Sequence, residues 1–235
     1  MTLGILFLHG FTGNTEEIQP LVDYLSAHRT DWIYSVPTLS GHGSELNLKG
    51  INASHWLSDV EIAYRLLAKK VDKIIVIGFS MGGVLALYLT LRYKVNRLVL
   101  LSPSLKYLDV KQLYLALIEL INNRKNITTQ QKVILKKNMY QAQNMKIPTV
   151  LSFREVVNVV TPYVTMIERP VMIVQGKKDG LVPSATADFI YEKVASAEKK
   201  IYFSPNGYHQ ICFSEDRLHW FKEVLAFILA SEKEN

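Results

Sequence analysis

Gly78-Phe79-Ser80-Met81-Gly82 constrains the fold of this chain more than any other stretch, because of what flanks it. Before it runs Lys73-Ile74-Ile75-Val76-Ile77, a short β-branched apolar segment with the length of a buried parallel strand. After it, Gly83-Val84-Leu85-Ala86-Leu87-Tyr88-Leu89 continues as a helix-forming run. A G-x-S-x-G alone is a weak pattern. Between a strand and a helix it predicts a turn so tight that the serine backbone is strained, with glycines where a Cβ would strike the neighbouring strand and helix. Such a turn holds the Ser80 Oγ at the carboxyl end of a sheet, beside a helix N-terminus that favours developing negative charge. Ser80 is the candidate nucleophile.

A nucleophilic serine needs a base, a group to orient that base, and donors for an oxyanion. Downstream, Pro170-Val171-Met172-Ile173-Val174-Gln175-Gly176 reads as another buried strand, and Asp179 lies in the loop at its carboxyl end. An Asp-Gly turn with no chemistry is the plainer reading of Asp179-Gly180. Lys200-Ile201-Tyr202-Phe203-Ser204 is a further strand, followed by Pro205-Asn206-Gly207 and then Tyr208-His209. His209 is the candidate base and Asp179 its orienter, in the chain order serine, acid, histidine. His219 falls inside a C-terminal helical pattern and reads as a partly buried packing residue.

The chain opens with a second glycine-marked turn, His9-Gly10-Phe11-Thr12-Gly13, after the strand Leu3-Gly4-Ile5-Leu6-Phe7-Leu8. The backbone N–H groups of Phe11 and Met81 are the candidate oxyanion donors. Phe11 can also wall an acyl pocket. Asn14 with Glu17 three residues on predicts a capping box. His9 is expected to brace its loop, and His42, within Ser40-Gly41-His42-Gly43, to be structural.

These segments resemble the small bacterial carboxylesterases and monoacylglycerol lipases of the α/β-hydrolase superfamily. The resemblance rests on His9 through Asn14, the Gly41-His42-Gly43 turn, Asp59 after His55-Trp56, Gly78 through Gly83, and Gly176 through Pro183. It implies hydrolysis of short- to medium-chain carboxylic esters by Ser80, Asp179 and His209, with monoacylglycerols among the candidate substrates. Two departures stand out. Gly207-Tyr208 precedes His209 where the family commonly has Ser-Gly, so Tyr208 reshapes the local pocket. Ser214 stands where a carboxylate is often found, and Ser214 can cap the last helix.

Strands are expected near 3–8, 31–36, 73–78, 96–102, 170–175 and 199–204, alternating with helices near 14–28, 53–70, 81–93, 184–196 and 214–231. That alternation predicts an α/β fold: a reduced, mostly parallel sheet of about six strands with helices on both faces. Residues 1–103 and 169–235 form the expected core. Residues 104–168 are too long for a plain crossover and sit where α/β-hydrolases carry a cap. Lys111 through Ile121 is apolar nearly all round, so a helix there must be buried on more than one side, with Leu113 and Leu117 as candidate acyl-pocket residues. Tyr208 and Phe11 join them as candidate substrate-binding residues.

Charge is unevenly spread. Eight Lys or Arg and two acids fall between 104 and 147, while the remainder has 19 of each sign. That excess draws anionic substrates or lipid surfaces, or is a solvated helix face, the plainer alternative. No nucleic-acid motif accompanies it. No cofactor is implied, and the six histidines show no metal-ligand spacing. The single cysteine, Cys212, cannot form an internal disulfide, which fits a reducing, cytoplasmic setting. No stretch approaches the ~18–20 apolar residues of a membrane span, so no stable membrane insertion is expected. The expected partner is a small-molecule ester, with a homodimer as the candidate assembly. Thioesterase, peptidase and acyltransferase chemistry share the same machinery, and a hydrolase-like binding protein with negligible turnover is the non-enzymatic alternative.

Overall fold

The structure, a computed structural model, describes residues 2–43, 46–105 and 147–233. In chain order its elements are β1 (Leu3–Leu8), α1 (Gln19–His28), β2 (Ile33–Ser35), α2 (Ala53–Ala68), β3 (Lys73–Phe79) and α3 (Met81–Arg92). There follow β4 (Arg97–Leu101), α4 (Ile147–Val160), β5 (Val171–Gly176), α5 (Ala185–Lys193), β6 (Lys199–Ser204) and α6 (Arg217–Leu229). Short 3₁₀ turns flank several helices, at Thr15–Glu17, Thr161–Met166 and Ile211–Phe213 among others.

The six strands form one sheet in the order β2-β1-β3-β4-β5-β6, and every pair in it is parallel. Parallel strands demand crossovers, so helices cover both faces and the strands become continuous apolar runs. Alternation then divides each run between two cores. Leu6, Leu8, Ile74, Val76, Leu98, Leu100 and Ile173 face the side packed by α2, α3, α4 and α5. Ile5, Phe7, Ile75, Ile77, Val99, Leu101 and Val174 face the side packed by α1 and α6.

Local signals set the helix starts. Asn52 caps α2 by accepting from the Ser54 N–H at 3.1 Å, with His55 completing a capping box. The box expected between Asn14 and Glu17 does not form. Asn14 accepts from the Glu16 N–H at 2.9 Å and caps only the Thr15–Glu17 turn, while α1 begins later, at Gln19. Glu17 turns inward, where buried donors claim its carboxylate. Ser214 likewise makes no cap bond to the α6 backbone and accepts the Trp220 indole N–H at 3.1 Å instead. His219 lies on α6 as expected but is exposed, its ring 5.6 Å from that of Tyr202.

The helix at 147–160 has no counterpart among the expected elements. Val150, Phe153, Val156, Val157 and Val160 are buried, a helical stripe set against α2 and α3. Leu113 and Leu117, the helix expected over 111–121 and most of the basic segment lie outside the described residues. Among the described residues no helix is long and apolar enough to cross a membrane.

Candidate active site

Ser80 links β3 to α3 with φ +53° and ψ −115°, a conformation that non-glycine residues rarely adopt. Its neighbours explain why the strain persists. A Cβ on Gly78 would stand 2.1 Å from the Gly82 carbonyl oxygen, and one on Gly82 would stand 2.2 Å from that of Leu8. The helix start is thus pressed onto β1 and β3 with no room for side chains. The Ser80 N–H donates to the Leu101 carbonyl at 2.9 Å, tying the turn to β4.

Two other strand ends deliver their side chains to the same place. His209 Nε2 lies 3.0 Å from Ser80 Oγ, and His209 Nδ1 lies 2.9 Å from Asp179 Oδ2. All three residues are buried. The Asp179 carboxylate is held from every side. Its Oδ1 accepts the N–H groups of Leu181 at 2.9 Å and Val182 at 2.8 Å, and its Oδ2 accepts the Gln175 side-chain amide at 2.9 Å as well as His209. Donors of this kind fix a carboxylate in one orientation. A carboxylate can only accept, which makes His209 Nδ1 the donor to Asp179 and leaves Nε2 to face Ser80. Phe79 packs beneath the imidazole at 5.1 Å between ring centroids. Asp216, another acid near the end of the chain, accepts from Tyr202 Oη at 3.0 Å and Ser204 Oγ at 2.6 Å.

The loop after β1 lies against this arrangement and is held by two histidines. His9 Nε2 accepts the Leu39 N–H at 3.1 Å while its Nδ1 donates to the Gly10 carbonyl at 2.9 Å. His42 Nε2 accepts the Thr12 N–H at 3.2 Å while its Nδ1 donates to the Ser40 carbonyl at 3.0 Å. Burial, aided by the neighbouring His42, lowers the pKa of His9 to about 3, and burial lowers that of His42 to about 4. Both rings are therefore neutral near pH 7, and each is a bidentate strut. Buried Glu17 accepts from the Gly10 N–H at 3.0 Å and from the Gln210 amide at 2.9 Å, joining this loop to the one that carries His209. The N–H groups on either side of Phe11, those of Gly10 and Thr12, are thus both engaged. Met81 opens α3, and the first N–H groups of a helix have no intrahelical acceptor.

Around the loop stands an aromatic wall. Phe11 stacks on Phe153 of α4 at 5.1 Å and meets Trp56 edge-on at 5.7 Å. Tyr208 is half-buried on the turn before His209. Cys212 is fully buried, and burial pushes its thiol pKa well up, so it is an inert packing residue. Among the described residues no cluster of three or more His, Cys, Asp or Glu could hold a metal ion.

The structure thus brings Ser80, Asp179 and His209 into one hydrogen-bonded line. Reading the sequence missed Gln175, Glu17, Gln210, Phe153 and Ser104, whose Oγ lies 2.9 Å from Ser80 Oγ. Gln175 left a trace, a polar residue near the end of an apolar strand, whereas Ser104, just past the end of β4, left none. Phe153 left none beyond its place in a helical stripe.

The family model described as Hydrolase_4, serine aminopeptidase S33, matches residues 3–216. A carboxylesterase of Bacillus subtilis (strain 168) is 24% identical over 226 residues, covering 95% of this chain and 91% of its own. A thermostable monoacylglycerol lipase of Bacillus sp. (strain H-257) is 26% identical over 222 residues, covering 92% and 86%. Among solved structures, a chain from the metagenome-derived lipolytic enzymes LipS and LipT superposes with a TM-score of 0.78 at 22% identity, covering 97% of this chain and 94% of that one. The monoacylglycerol lipase of Paleococcus ferrophilus superposes with a TM-score of 0.73 at 16% identity, with the same coverages.

Proposed function

Since the chain belongs to the serine aminopeptidase S33 (Hydrolase_4) family, we propose that it is a serine carboxylesterase acting on short- to medium-chain esters through an acyl-enzyme on Ser80. The observation that carries this reading is the line from Asp179 through His209 to Ser80, with spacings of 2.9 and 3.0 Å, ending at a strained turn. His209 Nε2 takes the Ser80 proton as Oγ attacks the ester carbonyl carbon. The oxyanion is received by the N–H groups of Phe11 and Met81. His209 then protonates the departing alcohol, and the C–O bond to it breaks. Water enters, gives a proton to His209 and attacks the acyl carbon, and Ser80 leaves with that proton restored. Asp179 holds the imidazole tautomer and stabilises its cation throughout.

Phe11, half-buried and backed by Phe153 and Trp56, offers an apolar surface beside the loop that suits the acyl group of an ester. The names of the two Bacillus relatives point the same way. The family description itself names an aminopeptidase, so the test carries that arm. Purified protein is screened on p-nitrophenyl esters of graded chain length, monoacylglycerols, acyl-CoA and aminoacyl anilides, beside Ser80→Ala. Turnover of esters that is lost by about 10³-fold or more in the variant is expected. Preferential turnover of anilides or acyl-CoA would overturn the substrate class, and equal turnover by Ser80→Ala would overturn the nucleophile.

A further inference from the structure

We infer that Ser104 is a second active-site hydroxyl, donating a hydrogen bond to Ser80 Oγ and setting the balance between acylation and deacylation. The inference rests on the acyl-enzyme reading above and adds to it a residue outside the serine, acid and histidine. Ser104 Oγ lies 2.9 Å from Ser80 Oγ. The direction of that bond follows from the proton positions. Ser80 has one proton, and the acyl-enzyme mechanism above gives it to His209 Nε2, 3.0 Å away. The remaining contact on Ser80 Oγ must therefore be an acceptance, with Ser104 the donor.

The chain fixes Ser104 in this position. After β4, Ser102 turns back with φ +45° and donates its N–H to the Val174 carbonyl at 2.8 Å. Pro103 then lies close over α3, near enough that a Cβ on Gly83 would stand 3.0 Å from its own. The Ser104 N–H donates to the Ser80 carbonyl at 3.2 Å, and the residue is only 4% exposed. Backbone and side chain of one residue both grip the nucleophile.

An alcohol oxygen accepts hydrogen bonds well, and the bridging oxygen of an ester accepts them poorly, because its lone pair is delocalised into the carbonyl. The bond from Ser104 is therefore strong in the free enzyme, weak in the acyl-enzyme, and regained as Ser80 leaves. It stabilises the resting nucleophile against acylation and assists its departure in deacylation. In acylation the Oγ–C bond forms, the bond to the alcohol breaks, and the Ser80 proton passes through His209 to that alcohol. In deacylation the water–carbon bond forms, the C–Oγ bond breaks, and a proton from water passes through His209 to Oγ. Ser104 keeps its own proton in both halves.

The test measures each half separately in Ser104→Ala, Ser104→Cys and Ser104→Thr. Cysteine keeps nearly the volume of serine but is a weak donor, and threonine keeps the hydroxyl. Phosphonylation of Ser80 by a p-nitrophenyl alkylphosphonate reports acylation without any requirement for ester turnover. The Ala and Cys variants should react about two- to tenfold faster than wild type, the range expected for one neutral hydrogen bond, and Thr should match wild type. With p-nitrophenyl esters the same two variants should show a larger burst, with kcat and KM lowered together as acyl-enzyme accumulates. A merely structural role would slow phosphonylation and lower the melting temperature instead. Unchanged or slower labelling in Ala and Cys overturns the inference, as does a Thr variant that behaves like Ala. Wild type that is labelled on Ser80 yet turns over no ester would refute the ester substrate and leave the Ser104 comparison readable. Wild type that takes no label on Ser80 would overturn both.

Discussion

Asp179 and Asp216 each follow one of the last two strands, and only their hydrogen bonds separate their roles. Asp179 meets His209 Nδ1, while Asp216 is taken up by Tyr202 and Ser204. Asp179→Asn would set its amide N–H₂ either against the Leu181 and Val182 N–H groups or against Gln175 and His209, and in the second orientation it forces the imidazole to carry its proton on the nitrogen that must accept from Ser80. A loss of about 10³- to 10⁴-fold in kcat is expected, together with a lowered melting temperature as the buried donors lose their acceptor. Asp216→Asn should touch stability alone, destabilising by about 1–2 kcal/mol through weakened hydroxyl bonds while kcat/KM stays within a few-fold. Ester assays and thermal melts on the two variants check the pair. Equal damage to kcat from Asp216→Asn would mean that the wrong carboxylate has been assigned to the base.

At the scale of elements, the loop after β1 depends on two neutral histidines and on an aromatic contact with α4. The folded-state pKa values of His9 and His42 are depressed to about 3 and about 4. The unfolded chain therefore binds more protons than the folded one below the ordinary histidine value, about 6.5. The stability these rings contribute is complete above that pH and is lost as pH falls toward 4, by about 1.4 kcal/mol per pH unit for each ring. Urea unfolding between pH 7 and pH 4 should show this slope, and His42→Gln, which cannot titrate, should flatten it by one proton relative to wild type. Identical slopes in the two proteins would contradict the neutral-strut account. Phe153 acts on the same loop through its stack on Phe11. Phe153→Leu should open the wall and raise kcat/KM for longer acyl chains relative to short ones, each accommodated methylene being worth about 0.8 kcal/mol. A flat chain-length profile with a lowered melting temperature would confine Phe153 to packing.

Across the whole molecule, what the sequence disclosed was set by local chemistry, and what it concealed was set by tertiary partners. Strand cores such as Ile74 to Ile77 and Val171 to Val174 are apolar because both faces are covered, so their positions could be read directly. The Ser80 turn was legible because glycine is demanded on each side of it. Glu17 was not, since a helix-start pattern looks the same whether the acid reaches back to Asn14 or inward to Gly10 and Gln210. Nor was Ser104, because nothing in Ser102-Pro103-Ser104 records that the chain folds back over α3. The helix 147–160 was hidden within the long stretch between β4 and β5, although its buried valines follow a helical period. All these parts converge on one claim, that Ser80 becomes covalently acylated. Rapid acid quench of the enzyme during turnover of a p-nitrophenyl ester, followed by peptide mapping by mass spectrometry, tests it most directly. The account predicts the acyl mass on Ser80 alone, absent from Ser80→Ala. Acyl mass on Ser102, Ser104 or Cys212, or steady turnover by Ser80→Ala, would contradict it.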